Sequence, residues 1–463
     1  MLKCSPLCLA AVLLLQLPVT ATQAQAAAST EEIALATRID AIVAPYYPPS
    51  GPGATLIVVK DGKTILRKAY GLADVAQGVP MQAGALMRLG SITKQFTSTA
   101  VLMLADEGKL ALSDPMTKFF PDYPAAGKNI TIEHLLTHTS GIVSYTSKRA
   151  WRSEAARKVG VQEMINGFKD DPLEFAPGSR YAYNNSGYFL LGALIEKLSG
   201  QPYAKFVEQR IFAPLGMTHT AYEGFETAQG PRATGHSPSM WGGFKASATL
   251  HMSQPYAAGA LVSTVDDMAK WDAAVGSGKL LKPASWTRAH TPYTLADGTS
   301  THYGYGWKMA RVRGAIEIGH GGDIHGFTAY SLRLPEHKVY VALLTNADTG
   351  MVRPAVLAKK AAAILIGNPY PDYRPVAQGT GVLDAYTGAY KLRDKVTRTV
   401  RRSQDHLQIV RSGRATESIY PLGGDRFFMK DALTVYRFER NAAGNVERLV
   451  LADDGVEQVH VKD

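Results

Sequence analysis

The chain has 463 residues, of which 46% are hydrophobic and 19% are charged. This usage is close to that of ordinary globular proteins and excludes a disordered or collagen-like chain. Lysine and arginine total 50 against 40 acidic residues, a formal charge of +10, but no basic run is long enough for a nucleic-acid tract. We therefore expect two or three folded units with a solvated basic surface and no nucleic-acid partner.

The first 26 residues have the pattern of an export signal. Lys3 precedes the apolar run Leu7–Leu17, and a small-residue stretch follows, with cleavage expected after Ala26. The apolar run is too short to remain as a membrane anchor. Both cysteines, Cys4 and Cys8, lie in this segment, so the mature chain has no thiol for a disulfide, a nucleophile or a metal. The segment predicts a periplasmic or secreted protein without a stable membrane anchor.

A helix is predicted over Ile33–Ile42. It is followed by two apolar runs that flank Asp61 and Gly62, a dipeptide typical of hairpins, so the sheet is expected to open antiparallel. Apolar residues recur at helical spacing from Thr93 to Glu107, and Gly108 ends that helix. Residues from about 112 to 243 are expected to be helical and loop-rich, with helices at Ile132–Leu136, Gly187–Leu198 and Tyr203–Ile211.

Strand patterns return from about Tyr303, and a helix over Val356–Ile366 closes this part. Strands at both ends with a helical block between them predict an α+β fold, in which an antiparallel sheet is flanked by helices and carries an all-α insertion at about 112–243. The domain is expected to span residues 27–367, followed by a proline-rich linker, 368–380. Short β-like runs with glycine breaks then predict a small all-β domain, 381–463.

Two short segments bear groups that can move protons. Ser91 and Lys94 lie one helical turn apart, where the amine can take the serine proton and the helix N-terminus favours negative charge. Tyr183 can act as a base if Lys94 lowers its pKa, and Asn185 can orient a substrate carbonyl or hold the lysine. Taken singly, a Ser-x-x-Lys segment more often lies on a helix surface, and a Tyr-x-Asn segment more often forms a turn with a packed aromatic ring.

The third segment is His320-Gly321-Gly322-Asp323, on a predicted strand. Small residues after the histidine would let a substrate backbone lie against the strand. The backbone N–H of Asp323 could join that of Ser91 as an oxyanion hole. Taken singly, this segment is more often a glycine turn beside an ordinary histidine. Upstream, His138 is expected to be structural.

Together, the three segments resemble the serine beta-lactamase and penicillin-binding-protein superfamily, in particular its class C-like, D-aminopeptidase and esterase branch. Ser-x-x-Lys, Tyr-x-Asn and Lys/His-x-Gly occur in the family's order, and HLLTHTSGI, PLGMTHT, AAGALVSTVDDMAKW and YGYGW match as well, over about residues 33–365. The resemblance implies a beta-lactamase-like fold, with Ser91 as acylated nucleophile, Lys94 as its proton partner and Tyr183 as general base. It also implies substrate-binding roles for Asn185, His320, Gly321, Gly322 and Asp323.

His320 stands where many beta-lactamases of this type have a lysine, and His-x-Gly is more similar to D-aminopeptidases, D-amino-acid carboxypeptidases and esterases. The expected function is an exported serine hydrolase acting through an acyl-enzyme on D-amino-acid peptides, peptidoglycan fragments among them, or on small esters. The alternatives are a class C-like beta-lactamase and a non-hydrolytic penicillin-binding or cell-wall-sensing protein. No His/Asp/Glu set has metal-ligand spacing, so no metal or other cofactor is expected. The C-terminal segment is similar to lipocalin-like β domains of some family members; its role and the oligomeric state stay open.

Overall fold

The computed structural model describes residues 19–224, 228–392, 396–411, 416–453 and 456–463. Most of the predicted export signal, residues 1–18, lies outside the described residues. None of the helices in the described part of the chain is long and apolar enough to cross a membrane.

The helices are α1 (Val19–Val43), α2 (Thr93–Asp106), α3 (Ile132–Leu136), α4 (Arg149–Glu154), α5 (Val161–Asn166), α6 (Asn185–Ser199), α7 (Tyr203–Val207), α8 (Val265–Gly276), α9 (Pro283–Ala289), α10 (Pro354–Leu365) and α11 (Thr380–Asp384). The strands are β1 (Ala54–Lys60), β2 (Lys63–Tyr70), β3 (Leu72–Asp74), β4 (Val79–Pro80), β5 (Met87–Arg88), β6 (Ala221–Tyr222), β7 (His236–Pro238), β8 (Phe244–Ala246), β9 (Leu261–Ser263), β10 (Lys308–Val312), β11 (Ala315–Ile324), β12 (Phe327–Leu334), β13 (Val339–Thr345), β14 (Gly388–Leu392), β15 (Val396–Ser403), β16 (His406–Arg411), β17 (Glu417–Gly423), β18 (Arg426–Met429), β19 (Val435–Arg440), β20 (Val446–Asp453) and β21 (Val456–Lys462).

The central sheet has six antiparallel strands in the order β10-β11-β12-β13-β1-β2. The turn between β1 and β2 contains Asp61 and Gly62, both with positive φ, which confirms the predicted hairpin. β1 pairs along its whole length with β13, so strands far apart in sequence form one sheet around the helical insertion. The predicted α+β class, with helices flanking an antiparallel sheet, is confirmed.

Two hydrophobic cores lie on the two faces of this sheet. On one face, α10 packs against β12 and β13 and α1 packs against α10 and β2, burying Ile39, Val341 and Leu357 completely. On the other face, α8 packs on β1 and β13, and the larger core continues to α2 and α6. Every residue of β13 is buried, as expected for a strand covered on both faces.

Several element predictions differ from the structure. The helix predicted over Tyr203–Ile211 is α-helical only to Val207 and continues as a π-helical turn. Helix α1 begins at Val19, well before the predicted start at Ile33, because the alanine- and glutamine-rich stretch favours a helix without apolar periodicity. The region expected to be helical and loop-rich also contains β6 and β7, which were not predicted. These strands are two and three residues long and pair with β9 and β8, so local sequence carries little signal for them.

The C-terminal part forms a closed antiparallel barrel of eight strands, β14 to β21. Pairing of Tyr390 with Lys462 and of Lys391 with Val461 closes it. Its interior is filled by buried side chains such as Leu407 and Phe427. The predicted C-terminal all-β character is therefore confirmed.

Asn346, at the end of β13, ties the sheet to the segments beside it. Its side chain is completely buried, and its Oδ1 accepts a hydrogen bond from the Gly53 backbone N–H at 2.7 Å. Its Nδ2 donates to the backbone carbonyls of Leu72, Ala73 and Thr234 at 2.9–3.1 Å. One amide therefore links β13 to the start of β1, to β3 and to the insertion.

We expect Asn346→Ala to lower the free energy of unfolding by roughly 2–3 kcal/mol, because a buried N–H and three buried carbonyls lose their partner. Urea denaturation measures the change. Asn368→Ala is the control, since Asn368 is exposed and, among the described residues, its side chain is hydrogen-bonded to Arg313 alone; its effect should stay within about 0.5 kcal/mol. Equal effects of the two substitutions would contradict the role given to Asn346.

Candidate active site

Ser91 lies in a 3-10 turn, Gly90–Ile92, that leads into α2. Strand β11 packs directly against this turn: a Cβ on Gly322 would lie 1.9 Å from the Leu89 carbonyl oxygen, so only glycine fits there. A Cβ on Gly90, whose φ is +51°, would lie 3.1 Å from the backbone nitrogen of Asp323. This contact brings the main chain at Ser91 and at Asp323, the two predicted oxyanion-hole donors, to the same end of β11.

The Lys94 side chain is completely buried beneath Ser91. Its Nζ lies 3.2 Å from Ser91 Oγ, 2.8 Å from Asn185 Oδ1 and 2.9 Å from the Ala258 carbonyl oxygen. The last two groups can only accept hydrogen bonds, whereas the serine hydroxyl can donate or accept. An unprotonated amine can satisfy these two acceptors with its two N–H groups and present its lone pair to the Ser91 hydroxyl.

The surroundings of Lys94 favour that neutral amine. Burial holds the pKa of Lys94 well below its ordinary value, and the positive charge of Lys308 lowers it further. No carboxylate is among its hydrogen-bond partners. An unprotonated amine in contact with a serine hydroxyl can act as a general base.

Asn185 is held as the first residue of α6. Asn184 caps that helix by accepting a hydrogen bond from the Gly187 backbone N–H at 2.8 Å. The Asn185 Nδ2 donates to Thr146 Oγ1 at 3.1 Å, which directs its Oδ1 to Lys94. The sequence suggested two roles for Asn185. The structure shows that it holds Lys94, while its contact to a substrate stays a prediction.

The Tyr183 ring centroid lies 4.8 Å from Lys94 Nζ. Although 37% of Tyr183 is exposed, burial raises its pKa above the ordinary tyrosine value, and the nearby Ser91 side chain opposes this rise only in part. Lys94 is not among the causes of this shift, and the role of Tyr183 as general base stays a prediction. Burial acts on both groups, so a neutral amine faces a protonated phenol.

His138 packs behind Tyr183 with ring centroids 4.3 Å apart. Its Nδ1 accepts a hydrogen bond from the Asn184 backbone N–H at 3.0 Å, and burial keeps its pKa well below the ordinary value. His138 thus supports the Tyr183-Asn184-Asn185 segment from beneath.

His320 is buried on β11, and both of its ring nitrogens are occupied. Nε2 lies 2.9 Å from the Tyr303 hydroxyl, and Nδ1 lies 2.6 Å from the Gly321 carbonyl oxygen. Burial and the charge of Lys308 hold its pKa well below the ordinary histidine value. His320 is therefore a neutral ring that anchors the strand, and it does not carry the positive charge of the lysine it replaces.

A cavity of about 280 Å³ opens beside Ser91, and Asn185 and Asp323 contribute to its wall. Its far side is formed by Trp151 and His325, whose rings stack 6.2 Å apart with 15° between their planes. No hydrogen bond or ion pair involves the Asp323 carboxylate within the described ranges. An acidic group thus borders the space next to the nucleophile.

Sequence reasoning missed several residues of the site. Lys308 directly follows YGYGW, but only the pairing of β10 with β11 places it at the active site. Ala258 acts through a backbone carbonyl, which no side-chain pattern reveals. Thr146, Trp151 and His325 lie in loops or a short helix with no distinctive motif.

A serine hydroxyl facing a buried amine, with two backbone N–H groups nearby, is an arrangement suited to acyl transfer. Residues 39–365 match the protein family described as Beta-lactamase, and the chain belongs to this family. It is thereby a member of a superfamily of serine hydrolases, as the resemblance implied.

Three similar proteins illustrate the range of the family. Penicillin-binding protein 4* of Bacillus subtilis is 26% identical, with 88% of this chain and 94% of that protein aligned. The D-aminopeptidase of Gluconobacter oxydans is 27% identical over 73% of this chain, which spans 63% of that protein's length. The crystal structure of D-amino acid amidase from Ochrobactrum anthropi SV3 with L-phenylalanine amide has a TM-score of 0.62 and 26% identity, covering 72% of this chain and 97% of the amidase.

We expect the rate of acyl transfer from 4-nitrophenyl acetate to rise with pH, because Lys94 must be unprotonated to act as a base. The rate should level off at a pH well below 10.5, the ordinary pKa of lysine. Lys308→Met should move this rise to higher pH, since it removes a charge that lowers the Lys94 pKa. Nitrophenol release between pH 4 and 10 measures both effects. Lys128→Met, on the exposed turn Ala125–Asn129, is the control. A rise centred near 10.5 would contradict the assignment.

Gly322→Ala should slow acylation by about 10²–10³, because the added Cβ pushes β11 away from Leu89 and withdraws an oxyanion donor. Gly321→Ala is the matched substitution on the same strand: its Cβ would lie 3.2 Å from a Tyr330 ring atom that can shift, so a much smaller loss is expected. Burst kinetics with 4-nitrophenyl acetate and thermal denaturation compare the two folded variants. Similar rates for both would disprove the importance of the Gly322 contact.

Proposed function

We propose that this protein is an exported serine hydrolase that forms an acyl-enzyme on Ser91 and releases D-amino-acid residues from peptides, amides or small esters. The single observation that supports the chemistry best is the buried Lys94 amine, 3.2 Å from Ser91 Oγ and held by two groups that only accept. Export rests on the signal-like segment 1–26.

In the proposed acylation, Ser91 Oγ attacks the substrate carbonyl carbon while its proton passes to Lys94 Nζ. The backbone N–H groups of Ser91 and Asp323 stabilise the oxyanion that forms. As the bond to the leaving group breaks, Tyr183 donates its phenolic proton to the leaving nitrogen or oxygen and recovers a proton from Lys94. The raised pKa of Tyr183 suits this role, because the phenol is protonated and ready to donate at neutral pH.

Deacylation uses the same groups in the opposite order. Water attacks the acyl carbon, Lys94 accepts its proton, and the bond to Ser91 breaks as Ser91 recovers a proton. The amine returns to its neutral state after each half-reaction. No group outside the site is required for the proton balance.

The cavity supports an amino-acid-sized acyl group. Its volume, about 280 Å³, lies just below the range of about 300–1,000 Å³ that is usual for small-molecule sites. The Asp323 carboxylate beside Ser91 can pair with the free α-ammonium of such a group, and Trp151 offers a flat wall for its side chain. The names of two relatives, a D-aminopeptidase and a D-amino acid amidase, support the same substrate class.

Matched 4-nitroanilides of D-alanine and L-alanine, a nitrophenyl ester and a chromogenic cephalosporin test the proposal. The D-alanyl compound should be preferred over its L isomer, and Ser91→Ala should lower turnover by at least about 10⁴. Ser199→Ala, at the partly exposed C-terminal end of α6, is the matched control and should retain wild-type rates.

Intact-mass spectra of the protein with each compound distinguish the alternatives. Faster turnover of the cephalosporin than of the D-alanyl anilide would favour a beta-lactamase. A long-lived penicillin adduct without turnover of any compound would favour a cell-wall-sensing protein. Full activity of Ser91→Ala would overturn the mechanism itself.

A further inference from the structure

An exposed hairpin, formed by β7 and β8, begins at the wall of the active-site cavity. Its base is fixed where the His236 backbone N–H donates to the Asn346 carbonyl oxygen at 2.9 Å and Ser237 Oγ donates to Asp348 Oδ2 at 2.5 Å. Asp348 lines the cavity beside Ser91. The hairpin is therefore anchored to the wall of the site, and its tip, residues 239–243, is free to meet another surface.

The tip of the hairpin exposes two large apolar side chains. Met240 is 85% exposed and Trp241 is 89% exposed, more than any other large hydrophobic residue in the described part of the chain. The turn that carries them is ordered, because the Ser239 N–H donates to the Gly243 carbonyl oxygen at 2.9 Å and the Gly242 N–H donates to the Ser239 carbonyl oxygen at 3.1 Å. Transfer of these two side chains from water to an apolar phase would be favourable.

The apolar surface continues from the tip to a cavity of about 650 Å³. Phe244 lines this cavity and follows Trp241 by three residues, about 10 Å of extended chain. A Cβ on Gly350 would lie 3.4 Å from the Phe244 ring, so the hairpin packs against the loop before α10. The other apolar side chains of the cavity wall include Pro45, Pro48, Met351, Val352, Val356 and Met429. Exposed apolar patches of this extent mark sites of contact with a partner or a membrane.

Two cations border the same surface. Lys245 lies opposite Ser237 on the hairpin, Arg353 lines the cavity, and both are exposed. Neither has a hydrogen bond or an ion pair among the residues that the structure describes. Asp431, also on the cavity wall, is occupied by the Tyr46 hydroxyl, which donates to its Oδ1 at 2.5 Å. Free cations beside an apolar tip, on a chain with a formal charge of +10, complement an anionic surface.

We propose that the β7–β8 hairpin binds the surface of an anionic phospholipid bilayer. Met240 and Trp241 enter the boundary between headgroups and acyl chains, and Lys245 and Arg353 contact the lipid phosphates. Tryptophan is favoured at this boundary because its ring is apolar and its N–H is polar. Since Asp348 joins the hairpin to the active-site cavity, binding brings that cavity to the bilayer.

Co-sedimentation with vesicles tests the proposal. The protein is residues 27–463, the expected mature chain, so that the apolar run Leu7–Leu17 cannot insert by itself. The vesicles contain palmitoyl-oleoyl phosphatidylglycerol and phosphatidylcholine in equal parts, or phosphatidylcholine alone. We expect binding to the mixed vesicles at low salt, at least about tenfold weaker binding to the neutral ones, and a loss of affinity as salt is added.

Substitutions on the hairpin and beside it should weaken binding to the mixed vesicles. The double variant Met240→Ser, Trp241→Ser should bind at least about tenfold more weakly, because both apolar side chains are lost. Lys245→Gln and Arg353→Gln should each weaken binding about fivefold. Ile33→Ser is the matched control, since it removes an exposed apolar side chain from α1, and it should bind as the wild type does. Thermal denaturation verifies that each variant is folded.

Tryptophan fluorescence locates the contact. Of the five tryptophans, Trp271, Trp286 and Trp307 are buried and Trp151 is half-buried. Lipids with brominated acyl chains should therefore quench mainly Trp241. Trp241→Phe should lose this quenching and keep most of the binding, because phenylalanine is also apolar.

Several outcomes would overturn the inference. They are a wild-type protein that does not bind the mixed vesicles, one that binds both kinds of vesicle equally, and a double variant that binds as tightly as the wild type. Self-association without lipid that the double variant loses, together with no vesicle binding, would assign the hairpin to a second copy of the chain. Ser91→Ala should bind as the wild type does, so a failure of vesicle binding leaves the proposed hydrolase function standing.

Discussion

The site depends on the burial of one lysine amine without a carboxylate partner. Lys94 is completely enclosed, and its three hydrogen-bond partners are a hydroxyl, an amide and a backbone carbonyl. A buried charge without compensation is so unfavourable that such a group gives up its proton instead. The fold therefore lowers the pKa of an ordinary side chain by enclosing it, and Asn185 and Ala258 hold the amine against Ser91.

That enclosure requires parts of the chain that are far apart in sequence. The turn before α2 supplies Ser91 and Lys94, the start of α6 supplies Asn185, and the residues before β9 supply the Ala258 carbonyl. Strand β11 closes the arrangement through the glycine contact with Leu89. Each group sits at the end of a regular element or on a strand, which holds the geometry more firmly than mobile loops would.

Neutral and charged groups occupy different zones. In the interior, Lys94 and His320 are held toward their uncharged forms by burial, and partial burial also raises the pKa of Tyr183 at the boundary. Lys308 and Asp323 lie at the rim, where water can reach them. On the proposed function, the buried groups move protons, and the Asp323 carboxylate at the rim can pair with the α-ammonium of the substrate.

Local sequence determined the β1–β2 hairpin, helix α2, the split order of strands and helices, and the three segments that meet at Ser91. These features follow from turn dipeptides, apolar periodicity and short motifs, which act over a few residues. Only the tertiary structure decided the protonation of Lys94 and Tyr183, the neutrality of His320, and the place of Ala258 and Lys308. Those properties depend on what encloses each group and on the register between β10 and β11, and neither is encoded within a few neighbouring residues.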